Sequence, residues 1–165
     1  MSLLNFQVLD DDELIHAYGD LLLELKKRKI IRSKNVIGDL GEYTAIAYYK
    51  NAPSLPTLTE APPNTKAFDA VGRNGKRYSI KTTTGKTTGC FFGLPPAGQN
   101  EPINPMFDFV VIVKFDNNYN LELIVEITWE QFLVYKRWLP TQNAYNLYLN
   151  GELLSNAKSI YRREK

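Results

Sequence analysis

Apolar residues recur at helical spacing in the first part of the chain. Leu14, Ala17 and Leu21 follow one another at intervals of three or four residues, a pattern that predicts a helix. Aspartates precede them and supply a cap and an acidic first turn, so this helix is placed at residues 10–31. A second helix is predicted to open at Gly38–Glu42, because alanines and tyrosines continue at helical spacing after it.

The middle of the chain carries the signature of a β-hairpin. Two short segments, 67–71 and 77–82, alternate in part between apolar and polar residues. They flank Asn74 and Gly75, and this dipeptide is the strongest short signal for a hairpin turn. Residues 51–66, which precede the hairpin, contain four prolines and are predicted to be mostly loop.

A second pair of strands follows a long polar loop. Residues 83–105 are rich in Thr, Gly and Pro and are predicted to be that loop. The segment 107–115 (FDFVVIVKF) is nearly all apolar, which is typical of a strand buried on both faces, and 121–127 is its predicted partner. Thr128 is expected to cap a helix that runs from Trp129 to about Trp138.

These elements predict one domain that spans residues 1–165, of the α/β (α+β) class, with a central mixed four-stranded sheet flanked by helices. Its length and its 44% hydrophobic content suit a single core. The helix at 10–31 and the tail at 139–165 are interpreted as additions to that core.

Composition narrows the function classes. The single cysteine, Cys90, excludes an intramolecular disulfide and a multi-cysteine zinc site. Neither a signal peptide nor an apolar run long enough to span a bilayer is visible, so we expect a cytoplasmic protein without membrane association. The net charge of +2 is too small to argue for nucleic acid by itself.

Two lysines compete as candidates for chemistry. Lys86 lies in Gly85-Lys86-Thr87, which resembles the end of a phosphate-binding P-loop, but that motif needs a glycine at position 80, where the chain has Ile80. Glycines and prolines follow instead of a helix. The sequence therefore disfavours an NTPase at this loop.

Lys81 has a better chemical neighbourhood. The hairpin brings Asp69 next to residues 79–81, and period-two alternation points Ser79 and Lys81 to the same face. A carboxylate beside an ammonium group can bind a hard divalent cation, because Mg²⁺ prefers oxygen ligands. The lysine can then orient or deprotonate a water molecule or stabilise charge on a phosphate. A structural ion pair between Asp69 and Lys81 is the alternative.

This constellation resembles the PD-(D/E)xK nuclease superfamily, which has the restriction-endonuclease-like fold. The matching pieces are Glu42 on the second helix, Asp69 in the hairpin and Ser79-Ile80-Lys81 on the following strand. The resemblance implies a Mg²⁺-dependent (or Mn²⁺-dependent) DNA endonuclease with a restriction or defence role, and catalytic residues Glu42, Asp69, Ser79 and Lys81. It also implies a homodimer, since many such nucleases cut both strands as dimers.

Ser79 departs from the family pattern, which has an acidic residue or Gln at this position. The resemblance assigns the metal to Asp69, Glu42 and the main-chain carbonyl of Ile80. Either Glu42 or the Ile80 carbonyl makes up for the missing acid, or the site has lost its activity. A catalytically weakened nucleic-acid-binding or interaction module of the same fold is therefore the alternative function.

A nuclease must also hold a polyanion, so basic and hydroxyl side chains are expected beside the site. The candidate nucleic-acid-binding residues surround the hairpin and the loop after it: Arg73, Lys76, Arg77, Thr83 and Lys86. A solvated polar surface explains the same residues equally well.

Overall fold

The structure is a computed structural model that describes residues 4–99 and 104–164. Its contacts divide the chain into two compact units, one ending at Leu40 and the other beginning at Gly41. The helices are α1 (Asp11–Lys27), α2 (Val36–Asn51), α3 (Trp129–Tyr135) and α4 (Gly151–Asn156). The strands are β1 (Leu58–Glu60), β2 (Ala70–Gly72), β3 (Arg77–Thr83), β4 (Phe109–Phe115), β5 (Leu121–Thr128), β6 (Arg137–Leu139), β7 (Ala144–Asn146) and β8 (Lys158–Arg162).

Helix α1 is shorter than the predicted 10–31. Asp10 is its N-cap rather than its first residue, and the helix ends at Lys27. After the C-cap, Lys29 adopts a positive φ of 58°, and the N–H of Ile30 donates to the carbonyl of Leu25 at 2.9 Å. This Schellman motif satisfies the last carbonyls and ends the helix at Lys27.

Helix α2 begins at Val36, before the predicted start at Gly38. Its first-turn acid is Asp39, whose carboxylate accepts the backbone N–H groups of Arg32 at 2.8 Å and Ser33 at 2.6 Å. Glu42 therefore lies in the second turn of α2, and the acidic residue that interacts favourably with the helix dipole in the first turn is Asp39.

The central sheet is mixed, as predicted, but it has six strands in the order β1-β2-β3-β4-β5-β8 rather than four. Strands β3 and β4 pair in parallel, and the other neighbours pair antiparallel. The extra strands lie where loop or unassigned tail was expected: β1 falls within 51–66, and β8 falls within 139–165. The tail also contributes β7, which pairs with β6 in a small second sheet.

The two faces of the sheet are covered differently. On one face, helix α2 packs through Tyr49. The centroid of its ring lies 6.0 Å from that of Tyr78 on β3. The Tyr49 hydroxyl donates to the buried carboxylate of Glu126 at 2.6 Å, and burial, then that carboxylate, raises the pKa of Tyr49 well above its usual range. The opposite face carries the main hydrophobic core.

The core of the opposite face gathers side chains from the central sheet, from α3, α4 and β7, and from the loop before β4. Its buried members include Phe91, Phe107, Val110, Ile112, Val125, Ile127, Trp129, Phe132, Tyr145 and Leu153. Ser79 and Lys81 share this face, because they are the register partners of Val110 and Ile112 in the parallel β3–β4 pair. The face that carries Lys81 is therefore the one that α2 does not cover.

Helix α3 ends at Tyr135, before the predicted end at Trp138, because Lys136 is already extended and Arg137 starts β6. The predicted cap is confirmed: the hydroxyl of Thr128 accepts the N–H of Gln131 at 3.2 Å. Among the described residues, no helix has the length and the apolar content that a membrane crossing requires.

Candidate functional site

Asp69 lies at the point where the hairpin strands separate. Its N–H donates to the carbonyl of Tyr78 at 2.8 Å, and its carbonyl accepts the N–H of Ala61 at 2.9 Å. The ladder thus extends one residue before β2 and stops there. The carboxylate Oδ2 of Asp69 accepts the N–H of Ile80 at 2.6 Å and has a longer contact with the Ser79 hydroxyl at 3.5 Å. The predicted proximity of Asp69 to residues 79–81 is confirmed.

Ser79 and Lys81 line one cavity together with Asp69, as strand alternation predicted. The cavity has a volume of about 350 Å³, and its remaining lining is Lys66, Ala67, Cys90, Phe91, Phe92, Gly93, Leu94, Met106 and Phe107. The lining carries one carboxylate and two ammonium groups. This balance suits an anionic ligand such as a phosphate better than a cation alone.

The side chains of Asp69 and Lys81 do not form the structural ion pair that was the alternative interpretation. The Lys81 Nζ lies instead over the ring of Phe91, 4.8 Å from its centroid. Within residues 4–99 and 104–164, both contacts to the Asp69 carboxylate fall on Oδ2, and Oδ1 has no hydrogen-bond partner. One carboxylate oxygen and one ammonium group therefore remain available to a ligand.

The Ile80 carbonyl is directed to the same side of β3 as Asp69. Within a strand, the N–H and C=O of one residue point to the same side, and the Ile80 N–H is bound by Asp69. The pairing of β2 with β3 has ended before Ile80, so β2 does not occupy this carbonyl. The Ile80 carbonyl and Asp69 Oδ1 are both oxygens of the kind that Mg²⁺ binds.

Ala67 adopts a backbone conformation that is unusual for a residue with a side chain. Its φ is +77°, in a region that L-residues other than Gly, Asn and Asp rarely occupy. Ala67 lines the cavity two residues before Asp69. Such strained conformations cluster at functional sites, where the surrounding structure holds them in place.

Glu42 is not among the described residues that line the cavity. Its neighbour Gly41 packs against Thr82. Thr82 follows Lys81 in β3, and its side chain therefore lies on the other face of the strand. The second turn of α2 therefore lies at the same end of β3 as Lys81. The proposed metal contact of Glu42 stays a prediction.

Gly41→Ala is expected to destabilise the fold. A Cβ at position 41 would overlap the Thr82 hydroxyl and lie 2.7 Å from its Cβ, so α2 must shift. We expect the free energy of unfolding to fall by about 1–3 kcal/mol, as overpacking usually costs, measured by urea denaturation. Removing the Thr82 side-chain branches in Gly41→Ala/Thr82→Ala should recover part of the loss.

Gly19→Ala is the matched control for this substitution. Gly19 also lies within a helix, and nothing lies within 4 Å of a Cβ built there. The same change should therefore stabilise the protein by about 0.5–1 kcal/mol, since alanine restricts the unfolded chain and favours helix. Equal effects at the two glycines would contradict the close packing of α2 on β3.

The basic residues of the hairpin turn lie far from the cavity. Arg77 is four residues before Lys81 on β3, which corresponds to roughly 13 Å along a strand. Its guanidinium is already paired with Asp108, with Nε 3.2 Å from Oδ2. Arg73 and Lys76 are exposed in the same turn. A nucleic-acid contact by these three residues stays a prediction, at the opposite end of β3 from Lys81.

Thr83 and Lys86 behave differently from each other. Thr83 is buried, and its hydroxyl accepts the N–H of Gly85 at 3.0 Å, so it stabilises the turn after β3. Lys86 is exposed, and its carbonyl accepts the N–H of Leu149 at 2.8 Å. No helix follows Lys86 in the described residues up to 99, which agrees with the rejection of a P-loop.

The aromatic wall of the cavity was missed by the sequence analysis. Phe91 and Phe92 come from the loop that was predicted only as polar, and Phe107 lies just before β4, although it was predicted to begin that strand. The paired phenylalanines at 91 and 92, isolated among glycines and prolines, were the available signal.

In the part of the chain that the structure describes, no cluster of three or more His, Cys, Asp or Glu side chains forms that could hold a metal ion. Mg²⁺ commonly takes only one or two protein carboxylates and fills its other positions with water and phosphate oxygens. A scan against models of known protein families found no match, and a search among curated proteins found none.

Proposed function

We propose that this protein is a Mg²⁺-dependent (or Mn²⁺-dependent) DNA endonuclease that hydrolyses phosphodiester bonds at the cavity between Asp69 and Lys81. The observation that carries this proposal is the shared cavity: Asp69 and Lys81 line the same space, and among the described residues Asp69 Oδ1 has no hydrogen-bond partner and the Lys81 amine has no ion pair. A core with the restriction-endonuclease-like arrangement, and a restriction or defence role, belong to the same proposal.

Each residue of the site has a proposed role. Asp69 Oδ1 and the Ile80 carbonyl would hold the cation, and Glu42 would add a carboxylate directly or through water. A divalent cation bound there would polarise the scissile phosphate and make a nearby water more acidic. Lys81 would orient the attacking water and stabilise the negative charge that develops on the phosphate. The Ile80 N–H keeps the Asp69 carboxylate in place, and the Ser79 hydroxyl lies 3.5 Å from the same oxygen.

The alternative function is a binding or interaction module without catalysis, and Ser79 favours it. Only 2% of this residue is exposed, so its hydroxyl is fixed beside Asp69 where the nuclease family carries an acid. A neutral hydroxyl is a poorer ligand for Mg²⁺ than a carboxylate.

Supercoiled plasmid distinguishes the two functions. The nuclease should convert it to the nicked form in Mg²⁺ or Mn²⁺, and chelation by EDTA should stop the reaction, because the cation supplies the Lewis acid. Gel electrophoresis of the plasmid after timed incubation measures this. Plasmid that is bound, as judged by a mobility shift, but stays supercoiled at every concentration of either metal would support the module and contradict the nuclease.

A further inference from the structure

The cavity has two walls of different chemistry. Asp69, Ser79 and Lys81 form a polar wall on the sheet side, and Phe91, Phe92 and Phe107 form an aromatic wall from the loop before β4. A site that held only a phosphate and a cation would have no use for the second wall. Its volume of about 350 Å³ lies within the range of roughly 300–1,000 Å³ that small-molecule pockets occupy.

The inner part of the aromatic wall is fixed in place. The backbone N–H of Phe91 donates to the carbonyl of Tyr145 at 2.7 Å, and the reciprocal bond is 3.0 Å. The centroid of the Phe91 ring lies 4.7 Å from that of Phe132 and 5.8 Å from that of Phe107. The surface that a ligand meets is therefore preorganised, which lowers the entropic cost of binding.

The outer part of the aromatic wall is exposed. Phe92 has 62% of its surface accessible, although its neighbour Phe91 is buried in the core. An exposed aromatic ring at the rim of a pocket is a suitable stacking platform, because every nucleobase presents a π-face.

We propose that this cavity holds one unpaired nucleobase, so that the substrate is single-stranded DNA or a duplex with an unstacked nucleotide. The inference rests on the proposed function, because it starts from a phosphate bound at the Asp69–Lys81 wall. The nucleoside attached to that phosphate then reaches the aromatic wall across the same cavity. A base still paired in a duplex is stacked between its neighbours and cannot enter such a pocket.

Cys90 provides a reporter for this proposal. It is the single cysteine of the chain, it is partly buried, and it lines the cavity. Its reaction with N-ethylmaleimide, followed by mass spectrometry of the intact protein in EDTA, measures whether the cavity is filled. No cleavage occurs or is needed under these conditions.

Three ligands of similar charge are compared: single-stranded oligothymidylate, an abasic deoxyribose-phosphate chain of equal length, and a DNA hairpin whose stem is fully paired. At an oligothymidylate concentration ten times its dissociation constant, alkylation should slow about tenfold, because only the unliganded fraction reacts. The abasic chain and the hairpin should give little protection when they are bound to the same extent. Equal protection by all three would overturn the proposal.

Phe92 supplies the second measurement, which does not depend on thiol reactivity. Phe92→Ala should weaken oligothymidylate binding about five- to 150-fold in fluorescence anisotropy, as loss of one stacking platform does, and should leave abasic-chain binding unchanged. Phe92→Tyr keeps the ring and should bind as the wild type does. Because Phe92 is exposed, these variants should fold normally. Unchanged oligothymidylate binding by Phe92→Ala would overturn the proposal.

Failure of this inference can be told apart from failure of the nuclease. Plasmid nicking with no selective protection of Cys90 would leave the nuclease standing and remove the nucleobase site. Selective protection with no cleavage of plasmid or of single-stranded oligothymidylate in any metal would keep the nucleobase site and point to a binding module.

Discussion

Asp69→Asn is expected to reduce the rate of metal-dependent plasmid nicking by about 1,000-fold or more. The substitution keeps an oxygen that can accept the Ile80 N–H but removes the negative charge that would hold the cation. Loss of about 4 kcal/mol of transition-state stabilisation corresponds to this factor, and a metal ion supplies several kcal/mol. Single-turnover nicking rates at saturating Mg²⁺ measure the effect.

Asp108→Asn is the matched control for Asp69→Asn. Asp108 also accepts a backbone N–H from β3, that of Arg77 at 2.8 Å, but at the other end of the strand. Burial opposes ionisation of the Asp108 carboxyl, but the hydrogen bonds that this carboxyl accepts from Arg77 hold its pKa below the usual range. The variant should lose about 1 kcal/mol of stability and keep its nicking rate. Equal loss of activity in both variants would show that the carboxylates act only through folding.

Lys81→Met is expected to lower the nicking rate by about 100- to 10,000-fold, the range typical of a group that moves a proton or stabilises developing charge. Methionine has a similar length and can keep contact with the Phe91 ring, so the fold should persist. The loss should appear in kcat, whereas binding of uncleaved DNA in EDTA should change less than tenfold.

Lys86→Met tests the other lysine. Lys86 is exposed and has no ordered contact of its ammonium group with the cavity lining, so its removal should raise KM modestly through loss of one phosphate contact and leave kcat unchanged. If Lys86→Met abolished cleavage and Lys81→Met did not, the assignment of the reacting lysine would be wrong.

Local chemistry predicted the parts of the site that adjacent residues build. The Asn74-Gly75 turn was recognisable, and its geometry requires the positive φ of 76° that Gly75 adopts. Once the hairpin was placed, the pairing of Asp69 with residues near Ile80 followed from register, and period-two alternation put Ser79 and Lys81 on one face. These inferences needed only contacts between residues close in sequence.

Distant residues supplied what could not be predicted. Phe91 enters the cavity because its backbone pairs with Tyr145, more than fifty residues later, and no local pattern encodes that pairing. The same holds for β1, whose three residues are a strand only because β2 lies beside them. Short strands of this kind gain their stability from the partner strand rather than from their own sequence.

The prolines around β1 limit how two copies of this protein can associate. This strand forms one edge of the central sheet and lies between Pro56 and Pro62. Proline cannot donate a backbone hydrogen bond. A short edge strand flanked by prolines is therefore a poor template for adding a strand from another molecule. If two copies associate, we therefore expect them to join through side-chain surfaces, and not by continuing one sheet across the two chains at β1.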